Sequence, residues 1–310
     1  TICDLKPEHF DCLTTLDVNL FIDYCRRYKI ETEKNIYVYE NDKSSLARKK
    51  SSVSVLFKYL YRDQLIGRNI TDGFDPIRLP KAGEREIKAL QDDEVMRMLD
   101  AVESGEGLTK SERNYWKKTK YRDKLILLLL VTYGLRLSEL QQLNLSSFNF
   151  DRGEFKVYRK RGKESIMPVN RTISAAYLDY ISLERPPDDT LEPQHRDALV
   201  LSLQNTRLTD RQIRQIVKKY TSIPLGTSRK RGYSPHKLRA TAATSLIGRG
   251  HSIYDVQELM DHDHVTTTQL YAAHKLNTKR ELIKNFEWDE DSSETKDKKE
   301  RPEVSSKHDE

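Results

Sequence analysis

A histidine, an arginine and a tyrosine are the residues of this chain whose types and spacing could do chemistry on a phosphate. His236 and Arg239 follow Ser234-Pro235, a pair that predicts the start of a helix, so both side chains share one face of its first turns. Backbone N–H groups and the helix dipole favour an anion there. Tyr271 supplies a phenol that could attack phosphorus, and with an ordinary pKa of about 10 it needs basic neighbours.

Basic residues earlier in the chain complete the predicted site. Arg136 is expected in a turn between two helices, where a second guanidinium beside Arg239 would stabilise the charge of pentacoordinate phosphorus. Glu139, one turn further on, could orient Arg136. Lys160, at the tip of a predicted hairpin, could donate a proton to the leaving hydroxyl, and Lys163 is the alternative donor. These residues predict cleavage and rejoining of DNA through a tyrosine nucleophile.

A group of histidines and aspartates near the tyrosine offers a competing interpretation as a metal site. Its members are His251, Asp261, His262, Asp263, His264 and His274. Their spacing matches no zinc signature, and the chain has no phosphate-binding loop of the form Gly-x4-Gly-Lys-Ser/Thr. We therefore predict a reaction that needs no metal, nucleotide or other cofactor.

Composition favours a polyanionic partner. Charged residues make up 33% of the 310, and residues 288–310 hold nine acidic and five basic side chains. The remaining 1–287 therefore carry a net charge of +10, which suits double-stranded DNA. No apolar run reaches the length of a membrane span, so we predict no membrane contact. Cys3, Cys12 and Cys25 lack metal-ligand spacing and indicate a reducing compartment, which predicts a cytoplasmic protein.

The spacing of apolar and turn residues predicts a mainly α-helical protein of two domains with a small antiparallel β-sheet. Residues 1–78 are expected to be helical, 79–87 to be a linker rich in Gly, Pro and charge, and 88–287 to carry the site. Strand periodicity is convincing only over 148–169. The tail 288–310 is poor in apolar residues, so we expect it to be disordered.

Capping signals predict where several helices begin and end. Gly134 is expected to end a helix over 121–133, and Ser138 with Gln141 to form a capping box for the next helix. Near the start of the chain, Asp17 is expected to cap a helix.

Two groups of basic residues are predicted to contact DNA. The helix expected over 45–65 has an apolar stripe and a basic side, which is either a DNA-facing surface or a row of solvated lysines. Its members are Arg48, Lys49, Lys50 and Lys58. Around the predicted site, the corresponding residues are Arg159, Lys163 and Lys237.

Six residues and the segments around them resemble the tyrosine recombinase (phage integrase) family. In chain order they are Arg136, Lys160, His236, Arg239, His262 and Tyr271. The matching segments read Gly-Leu-Arg-Leu-Ser-Glu-Leu, Pro-His-Lys-Leu-Arg-Ala-Thr-Ala-Ala-Thr and Thr-Thr-Gln-Leu-Tyr. The resemblance is strong over about 87–287 and extends to 1–78 as a helical core-binding domain. The polar stretch 105–120 is similar to that of single-protein Xer recombinases of streptococci and lactococci.

The resemblance implies a role for each of these residues. Arg136 and Arg239 would bind the phosphate, and His262 would hold it or the transition state. Tyr271 would form a 3′-phosphotyrosine and release a 5′ hydroxyl. His236 would accept the proton of the tyrosine, Lys160 would be the general acid, and Glu139 would occupy the supporting acidic position. The family places Gly before the second histidine and His after the second arginine, whereas this chain has Asp261 and Ala240.

The resemblance also implies an assembly. Two domains would form a clamp around duplex DNA, and four protomers would synapse two sites and exchange strands in pairs through a Holliday junction. A helix over 277–287 would dock on a neighbouring protomer, with or without accessory proteins. The reaction would take place at the nucleoid in the cytoplasm, either to resolve chromosome dimers or to integrate and excise a mobile element. The alternatives are a monomeric type IB topoisomerase, which shares the catalytic set, and an inactive DNA-binding relative.

Overall fold

The computed structural model describes residues 6–33, 35–79 and 87–261. The chain divides after Arg85 into two compact units, which are described in turn. The helix predicted over 277–287 and the tail that follows it lie outside the described residues, as does most of the predicted linker. Within the described ranges, no helix combines the length and the apolar character needed to cross a membrane.

The first unit contains two helices and a β-hairpin between them. Its elements are α1 (Thr15–Tyr24), β1 (Arg27–Glu31), β2 (Ile36–Glu40) and α2 (Lys43–Arg62). The hairpin corrects the prediction of a purely helical unit and of a single sheet. Its strands pair antiparallel, with Tyr28 opposite Tyr39 and their rings stacked at 5.1 Å. Because both strands are mostly exposed, they lack the alternating apolar face by which strands are usually recognised.

The N-cap of α1 lies three residues before Asp17, the residue that was predicted to cap it. Thr14 is the cap, and Asp17 is the third helical residue, whose carboxylate accepts the backbone N–H of Thr14 at 2.8 Å. The predicted cap at Asp17 is therefore wrong by one turn, although its carboxylate does belong to a capping box. The core of this unit is centred on Phe57, whose ring meets Phe10 and Phe74 edge to face.

The second unit is built around one buried helix. Its helices are α3 (Asp92–Ser104), α4 (Lys110–Trp116), α5 (Lys120–Tyr133), α6 (Leu137–Gln141), α7 (Arg171–Leu183), α8 (Asp210–Thr221), α9 (Pro235–Gly248) and α10 (Ile253–Met260). The leucine-rich run 125–130 of α5 is buried on every side, and α3, α7 and α9 pack around it. The predictions that α5 ends at Gly134 and that α9 starts at Ser234-Pro235 are confirmed.

A buried ion network fixes α5 against α8. Asp123 is fully buried and lies 2.8 Å from the Arg122 guanidinium and 3.0 Å from the Lys219 ammonium. Removing either cation would leave a carboxylate inside the protein without full compensation. The central helix is therefore held in position by charge as well as by apolar packing.

The predicted small sheet is confirmed and is attached to the end of α5. Its strands β3 (Phe148–Asn149), β4 (Glu154–Tyr158) and β5 (Glu164–Pro168) are antiparallel in that order. The hydroxyl of Tyr133 donates to the Pro168 carbonyl at 2.6 Å, and its ring meets Phe155 at 4.9 Å. The end of the β4–β5 hairpin opposite its turn, where Glu154 pairs with Pro168, is thereby fixed to the end of α5.

Candidate active site

The turn between α5 and α6 brings Arg136 into position. Gly134 ends α5 with a φ of 60°, and a Cβ at this position would lie 2.7 Å from the Met260 side chain, so glycine suits both the turn and the packing. Arg136 caps α6, and Glu139 accepts its backbone N–H at 2.7 Å. The capping box predicted at Ser138 is therefore wrong, because the helix starts two residues earlier and Glu139 supplies the carboxylate.

A single buried carboxylate orients two guanidiniums. Glu139 Oε1 lies 2.7 Å from Arg136 Nη1, and Oε2 lies 2.9 Å from Arg159 Nη1. The Glu139 side chain is 2% exposed and that of Arg159 is not exposed at all, whereas 30% of Arg136 faces solvent. Charge-assisted pairs of this kind hold a guanidinium in one orientation. Arg136 is therefore fixed from the inside while its outer edge remains accessible.

Three consecutive carbonyls at the end of α10 each accept a hydrogen bond from a different arginine. The pairs are Leu259 with Arg159, Met260 with Arg239, and Asp261 with Arg136. Arg239 also donates to the Gly134 carbonyl at 2.6 Å. Cations are favourable at the carboxyl end of a helix, where carbonyls lack partners. The end of α10 thus brings together Arg136 and Arg239, the two arginines predicted to bind the phosphate.

The Asp261 carboxylate lies between two cations of this cluster. It accepts from Lys163 Nζ at 2.8 Å and lies 3.6 Å from Arg136 Nη1. The hydrogen bond from Lys163 is the main reason that the pKa of Asp261 is lowered. The backbone of Asp261 has a φ of 50° and a ψ of 56°, a conformation that glycine adopts without strain and aspartate tolerates. The site therefore already holds one anionic group.

The two candidate proton donors differ in their surroundings. Lys160 opens the short turn Lys160–Gly162 and is exposed, and among the described residues its ammonium forms no ion pair. Lys163, at the other end of this turn, is bound to Asp261. A general acid must come within hydrogen-bond reach of the leaving oxygen. Because the Lys160 ammonium forms no ion pair with a described residue, it is better suited to proton donation than the Lys163 ammonium.

His236 lies in the first turn of α9, one turn before Arg239. Its ring is exposed at the surface, and desolvation by the surrounding protein, together with the charges of Lys237 and Arg239, lowers its pKa. The imidazole is therefore neutral at pH 7 and can accept a proton. Ala240, which stands where the resembled family has a histidine, is buried in a small apolar cluster with residues of α10.

The structure revises two of the predicted DNA contacts. Arg159 lies inside the unit, held by Glu139 and the end of α10, so its guanidinium is not available to DNA. The Lys50 ammonium donates to the carbonyls of Phe74 and Asp75 at 3.2 and 2.6 Å, so it is bound to its own unit. Of the remaining predicted contacts, Arg48, Lys58 and Lys163 are exposed, and Lys49 and Lys237 are half-buried.

Two members of the predicted catalytic set, His262 and Tyr271, lie outside the described residues. The structure gives two residues contacts that were not predicted: Arg159, expected to contact DNA, is buried against Glu139, and the Asp261 carboxylate pairs with Lys163. Alternation along β4 carries the signal for Arg159, because Phe155 and Val157 point inward and Arg159 follows in the same phase.

Residues 88–278 match the model of the phage integrase family. The chain belongs to this family. Its relatives include the tyrosine recombinase XerC of Pelotomaculum thermopropionicum, 30% identical over 270 residues that cover 86% of this chain and 79% of the relative. XerC of Natranaerobius thermophilus is 33% identical over 233 residues, covering 74% and 72% of the two chains.

The fold of this integrase-family chain also matches solved recombinases. The crystal structure of the XerH site-specific recombinase bound to palindromic difH substrate aligns with a TM-score of 0.67 at 17% identity, covering 88% of this chain and 72% of that one. The resemblance drawn from the sequence is confirmed, as is the mainly helical recombinase fold. This chain is a tyrosine recombinase, an enzyme that cleaves and rejoins DNA.

Proposed function

We propose that this tyrosine recombinase acts at specific DNA sites, with Tyr271 attacking a phosphate that Arg136 and Arg239 hold. The observation that carries the proposal is the convergence of these two guanidiniums at the end of α10, directly before His262 in the chain. An anion already lies against Arg136 and Lys163, in the form of the Asp261 carboxylate. Cations that attract a carboxylate also have the charge and donors to attract the oxyanion of a phosphodiester.

Each step of the proposed reaction has a residue to perform it. The Tyr271 oxygen attacks phosphorus and His236 accepts the phenolic proton. The bond between phosphorus and the 5′ oxygen breaks, its electrons stay on that oxygen, and Lys160 protonates it. The arginines stabilise the charge on pentacoordinate phosphorus, as fixed donors do in other phosphoryl-transfer sites. A 5′ hydroxyl of a partner strand reverses these steps, so the bond energy is kept in the phosphotyrosine.

The proposed partner is double-stranded DNA, and the first unit serves as a second DNA-binding domain. Arg48 and Lys58 lie exposed on α2 and would contact the backbone from that side. Four protomers would synapse two sites, joined through the segment 277–287. This activity belongs at the nucleoid in the cytoplasm, in chromosome dimer resolution or in the movement of an integrated element.

Covalent trapping tests the proposal. A library of randomised duplexes is nicked near the centre, so that the short 5′-hydroxyl fragment escapes after cleavage and religation fails. Protein–DNA adducts are then isolated under denaturing conditions with EDTA present and sequenced to obtain the preferred site. We expect an adduct with wild-type protein, none with Tyr271→Phe, and an unchanged amount with Tyr254→Phe, whose tyrosine is 70% exposed on α10. An adduct that persists in Tyr271→Phe, or that EDTA abolishes, would overturn the proposal.

The rate of adduct formation is expected to depend on pH through His236. Because its pKa is lowered from the usual value of 6.5, the ring stays neutral down to a lower pH than a free histidine does. The rate should therefore be level above pH 6.5 and fall about tenfold per pH unit only below the lowered pKa. Single-turnover rates between pH 5 and 9 measure this profile.

The control for this profile is His251→Gln, which should retain the inflection because His251 is an exposed residue between α9 and α10. His236→Gln should slow the reaction and remove the inflection. A wild-type rate that rises with pH through the whole range would instead mean that solvent hydroxide, rather than His236, removes the proton.

Binding to duplex DNA is expected to weaken steeply with salt. A protein that neutralises six or more phosphates loses about 10³-fold in affinity between 50 and 200 mM salt, because counterions are released on binding. Lys58→Ala, at an exposed position, should reduce the slope of log K against log salt by about one. Lys50→Ala should leave the slope unchanged, because its ammonium is bound to carbonyls. Fluorescence anisotropy at five salt concentrations gives these slopes, and a flat dependence would contradict the DNA-clamp model.

A further inference from the structure

Arg159 carries a charge that the proposed mechanism does not use. Its side chain is completely buried, and its guanidinium donates to Glu139 Oε2 and to the Leu259 carbonyl, both at 2.9 Å. Its third neighbour is the Met167 sulfur at 4.0 Å, and its buried Nε has no partner within the described part of the chain. Burying a cation is costly unless it is paired, and here Glu139 supplies the opposite charge.

Arg159 lies at the base of the hairpin turn, directly after β4. It ends the inward-facing series of β4, and its backbone N–H donates to the Lys163 carbonyl at 2.6 Å, which closes the turn that carries Lys160. The Arg159 side chain is buried, whereas the side chain of Lys160, the first residue of the turn, is exposed.

The anchor joins three elements of the site. Through Glu139 it reaches the carboxylate that orients Arg136, and through Leu259 it reaches the end of α10. The base of the turn is thereby held at a fixed place relative to the arginine that binds the phosphate. A general acid works only when it lies within hydrogen-bond reach of the leaving oxygen, so the placement of this turn controls proton delivery.

We infer that Arg159 is a positioning residue that holds the turn carrying Lys160 at the distance from Arg136 that proton delivery requires. The inference rests on the proposed function, because it takes Lys160 as the general acid. It differs from a purely structural role in one measurable way. Loss of Arg159 should harm the step that needs a proton more than the step that needs phosphate binding.

A sulfur leaving group separates the two steps. In the test duplex, taken from the covalent capture above, sulfur replaces the bridging 5′ oxygen at the cleaved phosphate. The departing thiolate has a conjugate acid pKa of about 8.5, close to that of cysteine, so it leaves without protonation. Comparing single-turnover adduct formation on the oxygen and sulfur duplexes gives a ratio of rates. The ratio does not depend on the fraction of folded enzyme, so a partly unfolded variant still gives an answer.

We expect Arg159→Met to slow cleavage of the oxygen duplex about 30-fold, less than the 10²–10⁴-fold that a general acid supplies in full, and to slow cleavage of the sulfur duplex less than threefold. Arg159→Lys, which keeps the charge but not the fork of donors, should show a smaller effect of the same kind. Lys160→Ala gives the reference effect, with a large loss of rate on the oxygen duplex and a small loss on the sulfur duplex. Arg136→Ala should slow the reaction equally on both duplexes.

Arg185→Met is the matched control. Arg185 is also buried and also donates to backbone carbonyls, those of Arg196, Ala198 and Leu199, but it lies away from the cluster. Its loss should lower stability without changing the ratio. Equal losses on the two duplexes with Arg159→Met, or no loss on either, would overturn the inference. A wild-type protein that forms no adduct on either duplex, or a Lys160→Ala variant that sulfur does not rescue, would overturn the proposed function and this inference with it.

Discussion

Glu139→Gln is expected to lower the free energy of unfolding of the second unit by about 3–5 kcal/mol, the cost of removing one partner from a buried ion pair. The Glu139 carboxylate is the only acidic group within 4 Å of the Arg159 guanidinium among the described residues, and it also pairs with Arg136. An amide could still accept a hydrogen bond, but it would leave the fully buried guanidinium without a counter-charge. In a unit of this size such a loss lowers Tm by roughly 10 °C.

Urea denaturation at pH 7 measures this change, and Glu103→Gln is its control. Glu103 also accepts from a lysine, with 3.0 Å between its carboxylate and Lys124 Nζ, but it is 67% exposed. Exposed pairs of this kind contribute less than about 1 kcal/mol. If the two variants lost equally little stability, the carboxylate of Glu139 would not be the counter-charge that holds the two arginines.

Arg136→Ala is expected to slow adduct formation by about 10²–10³-fold, the usual effect of removing one donor that stabilises transition-state charge. Stability should change much less than in Glu139→Gln. The carboxylate would still be paired with Arg159, and the end of α10 would lose one of its three arginine bonds. That bond contributes about 1 kcal/mol. Within one ion network, Glu139→Gln therefore reports on stability and Arg136→Ala on the rate of the reaction.

Two further variants sharpen this prediction. Arg136→Lys keeps the positive charge but cannot bind the Asp261 carbonyl and Glu139 with one planar fork, so we expect it to recover less than about a tenth of the lost rate. Arg97→Ala removes an exposed arginine that pairs with Asp93 on α3, and its rate should equal that of wild type. Single-turnover adduct formation on the captured duplex provides the measurement. A near-normal rate in Arg136→Ala would remove Arg136 from the phosphate site.

The local chemistry of the site could be predicted because its signals are short in sequence. Gly134 needs only its left-handed backbone to end α5, and Pro235 needs only its missing N–H to suit the first turn of α9. The spacing of His236 and Arg239 then follows from helix geometry. None of these predictions depends on a residue far away in the chain.

The start of α6 and the fate of Arg159 depend on distant residues, and the sequence misled on both. Two starts compete by local rules, one with Ser138 as the cap and one with Arg136 as the cap and Glu139 as its carboxylate partner, and the contact of Glu139 with Arg159 favours the earlier start. For Arg159, a charged side chain is expected at the surface, although the residue follows Phe155 and Val157 in the inward phase of the strand. In both cases one buried ion pair, between Glu139 of α6 and Arg159 directly after β4, outweighed a sound local rule.

The three arginine hydrogen bonds at the end of α10 also limit how far Tyr271 can lie from the site. Asp261 is bound to Arg136, one of the two arginines proposed to hold the phosphate, and Tyr271 follows it by ten residues, a chain that spans at most about 33–36 Å when fully extended. A domain of about 200 residues has a radius of gyration of about 16 Å. Chain length therefore does not by itself confine the tyrosine to the arginines of its own protomer. In the assembly proposed above, the contacts made by the intervening segment would decide which active site the tyrosine enters.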